Sequence, residues 1–224
     1  MTATAKEWEI VHGDCLDVLP TLPRDAVIVS DPPYGMGWNI NGKRFRGGHR
    51  NRPNGKDDGR NDWSPIVADD KSFDPAPWLD FAKVVLWGAN HFASRLPVGT
   101  TLVWLKRNEA VFGKFLSDAE IAWQRGGHGV YLHKDLSMNV VNAVKGRRVH
   151  PTQKPVGLMR WCIGRLRLPP NSLIVDPYCG SGSTGVAAIE LGHRFLGVEL
   201  DAAYCDIARV RIAAAQPPLF AEVS

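Results

Sequence analysis

Cysteine pairs and long apolar runs are both missing from this sequence. Of its 224 residues four are cysteines, namely Cys15, Cys162, Cys179 and Cys205. No two of them form a CxxC pair or a metal-ligand spacing, which argues against a disulfide framework and against a bound metal. No stretch is long and apolar enough to span a membrane, and the opening MTATAKEWEI has no signal-peptide core. We therefore expect a soluble, cytoplasmic protein that needs no metal.

An excess of acidic residues is also absent. The chain carries 27 Lys and Arg against 23 Asp and Glu, a formal net charge of +4, which suggests an anionic partner. Basic side chains are concentrated in two segments, residues 43–60 and 145–154. The length suits a single large domain with its own core.

Short apolar runs alternate with helical patterns along the chain. The runs are WEIVH, AVIVS, KVVLW, TLVWL, AEIAW, SLIVD and RFLGVE, and several are nearly continuous in Val, Ile and Leu, as in parallel strands covered on both faces. In PVGLMRWCIGRLRL, an apolar residue recurs every four positions, at Leu158, Cys162 and Leu166. The face predicted for DAAYCDIARVRIAAA consists of Ala203, Ile207, Val210 and Ala214. This alternation predicts an α/β, doubly wound domain.

The stretch DPYCGSGSTG follows the predicted strand SLIV and precedes the predicted helix GVAAIEL. It contains a GxGxxG pattern with glycines at 180, 182 and 185, in the strand–turn–helix context that nucleotide sites require. The next strand ends in Glu199, nineteen positions after Gly180, where an acid can bind a ribose. Asp176 at the strand end would repel a phosphate and attract an ammonium group, which favours S-adenosylmethionine over a nicotinamide dinucleotide. The dinucleotide, or a tight turn beside a surface acid, stays open.

A second strand end carries SDPPYG, directly after the apolar residues 26–29. Pro32 and Pro33 lack an N–H and fix two φ angles, so the turn is stiff. The Asp31 carboxylate and the Pro32 carbonyl could accept hydrogen bonds from the exocyclic amine of a nucleobase and relieve positive charge as its nitrogen attacks a sulfonium methyl. Tyr34 would give a flipped base an aromatic face. A proline-rich turn that only ends a core strand is the structural alternative.

Together, in this order, the two motifs resemble the amino-group DNA methyltransferases of the permuted (beta) class, of the phage and bacterial orphan adenine-N6 type. GDCLDVLPTLPRDAVIVSDPPYG resembles their catalytic opening, DPYCGSGSTGVAAIELGHRFLGVELD their cofactor half, and HPTQKPVGLMRW the joining segment. VVLWGANHF and LVWLKRN resemble the strands between them. The resemblance implies one Rossmann-like methyltransferase domain over residues 1–224, with a mostly parallel twisted sheet and helices on both faces. Its catalytic half would be about 1–125, the joining segment 126–170 and the cofactor half 171–216.

The resemblance also implies roles for individual residues. DPPY, rather than the SPPY of cytosine-N4 enzymes, points to adenine N6, with Asp31, Pro32, Pro33 and Tyr34 as the catalytic set. Asp14 would bond the cofactor's adenine, Thr152 and Lys154 its carboxylate, Asp176 its ammonium and Glu199 its ribose. The complete cofactor-binding set is Asp14, Cys15, Thr152, Lys154, Asp176, Tyr178, Gly180, Ser181, Gly182, Ser183 and Glu199. The loop departs from the common DPFxGSGTT at Tyr178 and Ser183.

Double-stranded DNA is the partner that this resemblance implies. The basic loop 35–62 is long and aperiodic, and its start follows SDPPY directly, which favours a functional loop over the alternative of a merely solvated one. The predicted DNA contacts are Lys43, Arg44, Arg46, Arg50, Arg52, Lys145, Arg147 and Arg148, which would mostly meet phosphates. We interpret His49 and His91 as structural or solvated. A homodimer is expected.

Four alternatives stay open at this stage. Two keep the chemistry and change the base: cytosine-N4 methylation of DNA, and adenine methylation of RNA. The others are a nicotinamide-dependent oxidoreductase and a DNA-binding protein without catalysis. Whether the chain is the modification partner of a restriction nuclease, an orphan regulator or a prophage enzyme is not distinguished by these motifs.

Overall fold

The structure, a computed structural model, describes residues 7–35, 71–114, 117–136 and 153–215. Its strands are β1 (Trp8–His12), β2 (Val27–Ser30), β3 (Lys83–Trp87), β4 (Gly99–Leu105), β5 (Ala119–Lys134), β6 (Leu173–Asp176) and β7 (Arg194–Glu199). Its α-helices are α1 (Cys15–Val18), α2 (Val156–Arg165), α3 (Ser183–Glu190) and α4 (Ala202–Ala213). The predicted ligand Thr152 and all eight predicted DNA contacts lie outside the described residues. No helix within the described ranges has the length and apolarity that crossing a bilayer requires.

One sheet organises these elements, in the order β1-β7-β6-β2-β3-β5-β4. Neighbouring strands run parallel from β1 to β3, and β5 runs antiparallel to β3. β2 and β6 are neighbours although 142 residues separate Ser30, the last residue of β2, from Leu173, the first residue of β6. Because the carboxyl ends of parallel strands meet at one edge, the loops after β2 and β6 are brought together there. The predicted mostly parallel α/β fold is therefore confirmed.

Both faces of the central strands β2, β3 and β6 are buried, which explains their continuous apolar sequences. On one face Val27, Val29 and Val85 pack in a cluster with residues of α2, α3 and α4. On the other face Ile28, Val84 and Leu86 pack in a cluster that includes Trp78, Phe81 and Phe92. The covering layers differ: three long helices cover the first face, whereas α1 and short 3-10 turns cover the second within the described ranges.

Strand β5 passes β4 twice. From Thr100–Gln124 to Leu105–Ala119 the paired numbers move in opposite directions, as in an antiparallel pair. From Thr101–Val130 to Leu105–Lys134 they rise together. Gly126 and Gly127, with φ of 82° and 67°, allow the reversal between the two passes. AEIAW thus begins a much longer strand than its apolar pattern predicts, and its first residues lie at the same edge as the end of β3.

The face predicted for α4 is wrong. Cys205, Ala208 and Ile212 are the buried residues of this helix, whereas Val210 is 72% exposed. The alanine-rich sequence offers two apolar stripes of similar quality, so periodicity alone does not separate them. The choice is made by the glycine-rich loop, since Ala208 lies so close to Gly182 that only a small side chain fits between them.

Candidate active site

The two strand ends that carry the motifs touch each other. Ser30, the last residue of β2, donates its hydroxyl to Oδ1 of Asp176, the last residue of β6, at 2.5 Å. Both side chains are buried, with 0% and 3% exposure. The turn that begins at Asp31 therefore lies beside the loop that begins after Asp176, as the proposed chemistry requires.

Asp31 lies in a network of polar contacts at this edge. Its Oδ1 accepts the Tyr34 hydroxyl proton at 2.5 Å, and its Oδ2 accepts from the Lys154 ammonium, also at 2.5 Å. Lys154 precedes α2 in the chain and is only 7% exposed. Burial raises the pKa of Asp31, and the Lys154 ammonium opposes that effect. Asp31 and Tyr34 thus hold each other in place, and a cation from the joining segment holds both.

The Lys154 ammonium has a second carboxylate partner, Glu120, at 3.0 Å. Glu120 is the second residue of β5, and its other oxygen accepts from Lys106 at 2.7 Å. The two ammonium groups outweigh the burial of Glu120 and hold its pKa at about 2. The sequence did not indicate Glu120, because its place depends on the direction of β5. Only an antiparallel β5 brings its own first residues to the edge of the sheet where β2 and β6 end.

Tyr34 is also fixed through its ring. The His91 ring stacks on it with centroids 4.5 Å apart and planes 11° apart. Gly88, at φ 73°, follows β3 and lies so close that any Cβ there would overlap the Tyr34 ring. The interpretation of His91 as solvated is therefore incomplete, since its exposed side chain belongs to this site. The sequence signal for this contact was the presence of Gly88 and His91 just after the buried strand β3.

The glycine-rich loop is tied to the end of β7. The Gly180 N–H donates to Glu199 Oε2 at 2.7 Å, and the Asp201 N–H donates to Oε1 at 2.9 Å. Burial raises the pKa of Glu199, and these backbone donors oppose it. From α4, Arg211 donates to the Ser181 carbonyl at 2.5 Å and to its hydroxyl at 2.8 Å. Arg211 is a second residue that the sequence motif did not reveal.

Asp176 is a buried carboxylate held by neutral donors. Besides Ser30, it accepts from the Thr184 hydroxyl at 2.5 Å and from the Tyr178 N–H at 3.1 Å. Burial is the main cause that raises its pKa, to about 6, and these hydrogen bonds oppose the rise. Among the described residues no cation forms an ion pair with it. The site therefore presents an uncompensated negative charge at neutral pH.

The predicted adenine end of the cofactor site lies at the start of α1. Asp14 caps this helix by accepting from the Leu16 N–H at 2.8 Å. Cys15 is buried, and burial raises the pKa of its thiol to about 11, while a hydrogen bond with Tyr178 opposes the rise. The Tyr178 ring meets Trp78 edge-on at a centroid distance of 6.2 Å. The hydroxyl that distinguishes Tyr178 from the common Phe thus has a partner.

Clusters of metal-ligating side chains and disulfide bonds are both absent from the described part of the chain. There, no group of three or more His, Cys, Asp and Glu side chains is placed to hold a metal ion. All four cysteines are buried and unpaired by disulfides.

Comparison with known proteins agrees with this arrangement. The family model for DNA methylases of the N6/N4 type matches residues 103–210. YubD of Escherichia coli (strain K12), which is named as a methylase, is 29% identical over 217 residues, covering 92% of this chain and 90% of YubD. The type II methyltransferase M.HinfI of Haemophilus influenzae is 26% identical over 253 residues, covering 93% of this chain and 69% of M.HinfI.

Solved structures share the fold. A complex of M1.HpyAVI with SAM superposes with a TM-score of 0.57 at 20% identity, covering 91% of this chain and 99% of the other. The cytosine-N4-specific PvuII DNA methyltransferase gives a TM-score of 0.56 at 14% identity, covering 99% and 89%. Residues 103–210 of the chain thus resemble the DNA methylase family of the N6/N4 type.

Proposed function

We propose that this protein transfers a methyl group from S-adenosylmethionine to N6 of an adenine flipped out of duplex DNA. The observation that carries the proposal is the hydrogen bond between Ser30 and Asp176, at 2.5 Å. It places the turn that would hold the amine beside the loop that would hold the cofactor. Two groups that react with each other must be brought within about 3–3.5 Å in the right orientation.

In this proposal the residues after β2 bind and polarise the amine. The Asp31 carboxylate and the Pro32 carbonyl accept its N–H hydrogens, which localises the nitrogen lone pair and stabilises the positive charge that develops there. Pro33 keeps the turn stiff. Tyr34, held by Asp31 and His91, forms an aromatic wall for a base that has left the stack.

The loop after β6 fits the proposed cofactor. Asp176 is a buried negative charge that an ammonium group would neutralise. Glu199 uses both oxygens to hold backbone N–H groups, which orients it, and each oxygen keeps a lone pair for a ribose hydroxyl. When bound, S-adenosylmethionine would supply a methyl carbon whose bond to sulfur breaks as its bond to nitrogen forms, so that S-adenosylhomocysteine leaves as a neutral thioether and the amine gives up one proton to solvent. Asp14, Cys15, Tyr178 and the loop 180–183 would line the rest of the site.

The choice of adenine rests on the DPPY sequence. The fold does not separate the two bases, because the PvuII enzyme with the same fold is cytosine-N4-specific. A test uses tritiated cofactor with duplex DNA and with RNA, followed by digestion to nucleosides. We expect label in N6-methyladenine from DNA. Label in N4-methylcytosine, or in RNA alone, would replace our choice of substrate.

A thermal-shift comparison separates this proposal from an oxidoreductase. We expect S-adenosylhomocysteine to raise the melting temperature, because the folded state binds it. NADH and ATP serve as controls and should give no comparable shift. Stabilisation by NADH alone would contradict the methyltransferase proposal.

The remaining expectations stay predictions. They are the assignment of residues 1–125, 126–170 and 171–216 to catalytic, joining and cofactor parts, the eight basic DNA contacts, a homodimer and a cytoplasmic location. Long-read sequencing of DNA from cells that express the chain would reveal the methylated base and its sequence context together. A recurrent modified adenine in one short sequence is the result that we expect.

A further inference from the structure

Four charged side chains form a continuous row that ends at Asp31. Lys106 contacts Glu120 at 2.7 Å, Glu120 contacts Lys154 at 3.0 Å, and Lys154 contacts Asp31 at 2.5 Å. The row crosses the active edge from β4 to the turn after β2. Only Asp31 and Lys154 have a role in the predicted site, so the two outer members, Lys106 and Glu120, need an explanation.

Three oxygen acceptors surround the Lys154 ammonium. An ammonium group has three donors, and the neighbouring acceptors are Asp31, Glu120 and the Tyr34 oxygen, the last at 3.5 Å. The Trp87 ring lies below it, with its centroid 5.9 Å from Nζ. Of its two carboxylate partners Asp31 is the nearer, so the structure pairs Lys154 with the acid that would bind the amine.

The charges explain what Glu120 adds. If the Lys154 ammonium had Asp31 as its only partner, it would cancel the negative charge of the Asp31 carboxylate. The carboxylate would then be a weaker acceptor for the substrate amine, which becomes positive during transfer. A second carboxylate on the far side of the ammonium shares that positive charge. Glu120 is suited to this task because it stays ionised, its pKa being held at about 2 by Lys154 and Lys106.

We propose that Glu120 is a positioning residue for methyl transfer: it holds the Lys154 ammonium between two carboxylates, so that Asp31 is fixed and its charge is not fully cancelled by that ammonium. This inference rests on the proposed function. Glu120 itself touches neither base nor cofactor in this account. It acts through Lys154.

The test compares Glu120→Gln with Asp118→Asn. Asp118 lies two residues earlier, has Arg107 as its ion-pair partner at 3.9 Å and does not contact Lys154, so it is a matched loss of one charge. We expect Glu120→Gln to slow single-turnover methylation at saturating cofactor and DNA by about tenfold or more, equivalent to about 1.4 kcal/mol of barrier. The dissociation constant for S-adenosylhomocysteine should change by less than about twofold, since this ligand does not need Asp31. Asp118→Asn should match the wild type in both measurements.

A second measurement does not depend on activity. Melting temperatures of Glu120→Gln, Lys154→Met and the double variant form a cycle, and we expect the double variant to lose less than the sum of the single losses, because the two residues interact. The cycle of Asp118→Asn with Lys154→Met should be additive. Additivity in the Glu120 cycle would overturn the inference.

The activity results have equally definite meanings. Wild-type transfer by Glu120→Gln overturns the inference and leaves the proposed function standing. Transfer unchanged at saturation, with S-adenosylhomocysteine bound about tenfold more weakly, assigns Lys154 to the cofactor and also overturns it. A wild-type chain that binds S-adenosylhomocysteine but methylates no DNA overturns the proposed function together with this inference.

Discussion

At the scale of single residues, the hydrogen-bond partners of Asp31 make it the most informative position to change. Asp31→Ala removes an acceptor at the developing positive charge, so we expect methyl transfer to fall by about a hundredfold or more. Cofactor binding should persist, because Asp176 and Glu199 are untouched. Single-turnover methylation and calorimetric titration with S-adenosylhomocysteine measure the two effects.

Tyr34→Phe is the control for that experiment. It keeps the ring that stacks on His91 and removes only the hydroxyl that donates to Asp31. We expect a smaller loss of transfer than for Asp31→Ala. Equal activity of Asp31→Ala and the wild type would remove Asp31 from the mechanism.

Asp176 makes a prediction about pH and stability. Burial raises its pKa from 3.8 to about 6, so between these values the folded protein keeps a proton that the unfolded chain has lost. Stability therefore falls as the pH rises through this window, by about 3 kcal/mol in total. An asparagine at this position does not titrate. We therefore expect the melting temperature of Asp176→Asn, relative to that of the wild type, to rise by roughly 2–4 °C between pH 5 and pH 7.5.

The control for Asp176→Asn is Asp80→Asn, since Asp80 is exposed. Its melting temperature should follow the wild type across the same pH range. If the difference in melting temperature between Asp176→Asn and the wild type stayed constant across this pH range, ionisation of Asp176 would not be the cause of the lost stability. Asp176→Asn should also bind S-adenosylhomocysteine more weakly, because it lacks the charge for the ammonium.

Sequence reasoning reached part of this site for a definite reason. Asp31 and Asp176 each end a strand, and in a parallel sheet strand ends meet at one edge, so their proximity was predictable. Lys154 and Glu120 were not predictable as partners, because their meeting depends on the antiparallel entry of β5 and on the burial of a lysine. A lysine is rarely buried unless it is paired, and the sequence does not display the pair.

At the scale of elements, the third glycine of the loop tests the packing of α3. Ala is usually better than Gly in a helix by about 0.5–1 kcal/mol. At Gly185, however, an added Cβ would lie 2.6 Å from the Phe195 ring and still closer to Ile212. We expect Gly185→Ala to destabilise the protein by about 1–3 kcal/mol, measured by denaturant unfolding.

Gly164→Ala is the matched control within α2. Nothing lies within 4 Å of a Cβ at that position, so helix propensity alone should act and the variant should be more stable than the wild type by about 0.5–1 kcal/mol. A stabilised Gly185→Ala would mean that α3 is free to move away from β7.

The strands were more predictable than the helix faces. All seven apolar runs form strands, and in the central strands β2, β3 and β6 burial on both sheet faces leaves a continuous pattern. The buried face of α4 was mistaken because glycine at 182 and alanine at 208 together decide how closely the helix approaches the loop. The second pass of β5 along β4 was also missed, since its exposed residues Val130 and Leu132 show no buried alternation.

At the scale of the whole molecule, the net charge of +4 predicts how binding to DNA responds to salt. Each phosphate contact adds about −0.9 to the slope of log affinity against log salt concentration. If Arg44 and Arg46 each contact a phosphate, replacing both with Gln should make the slope less steep by about two. Arg160→Gln, which removes a cation paired with Glu190, should leave the slope unchanged, and fluorescence anisotropy at several salt concentrations measures both. An unaltered slope for the double variant would place the DNA contacts elsewhere.

The strand order has a consequence for how the chain can assemble as it leaves the ribosome. β1 emerges first among the described strands but joins the sheet only through β7 and β6, the last two to be synthesised. Until those strands arrive, β2 presents an unpaired backbone edge and β1 has no neighbour. The nascent chain therefore completes the centre of its sheet last. Only at that moment does the turn that begins at Asp31 meet the glycine-rich loop. A partly synthesised chain has an incomplete sheet and no active site. Its unpaired strand edge makes it a substrate for chaperones.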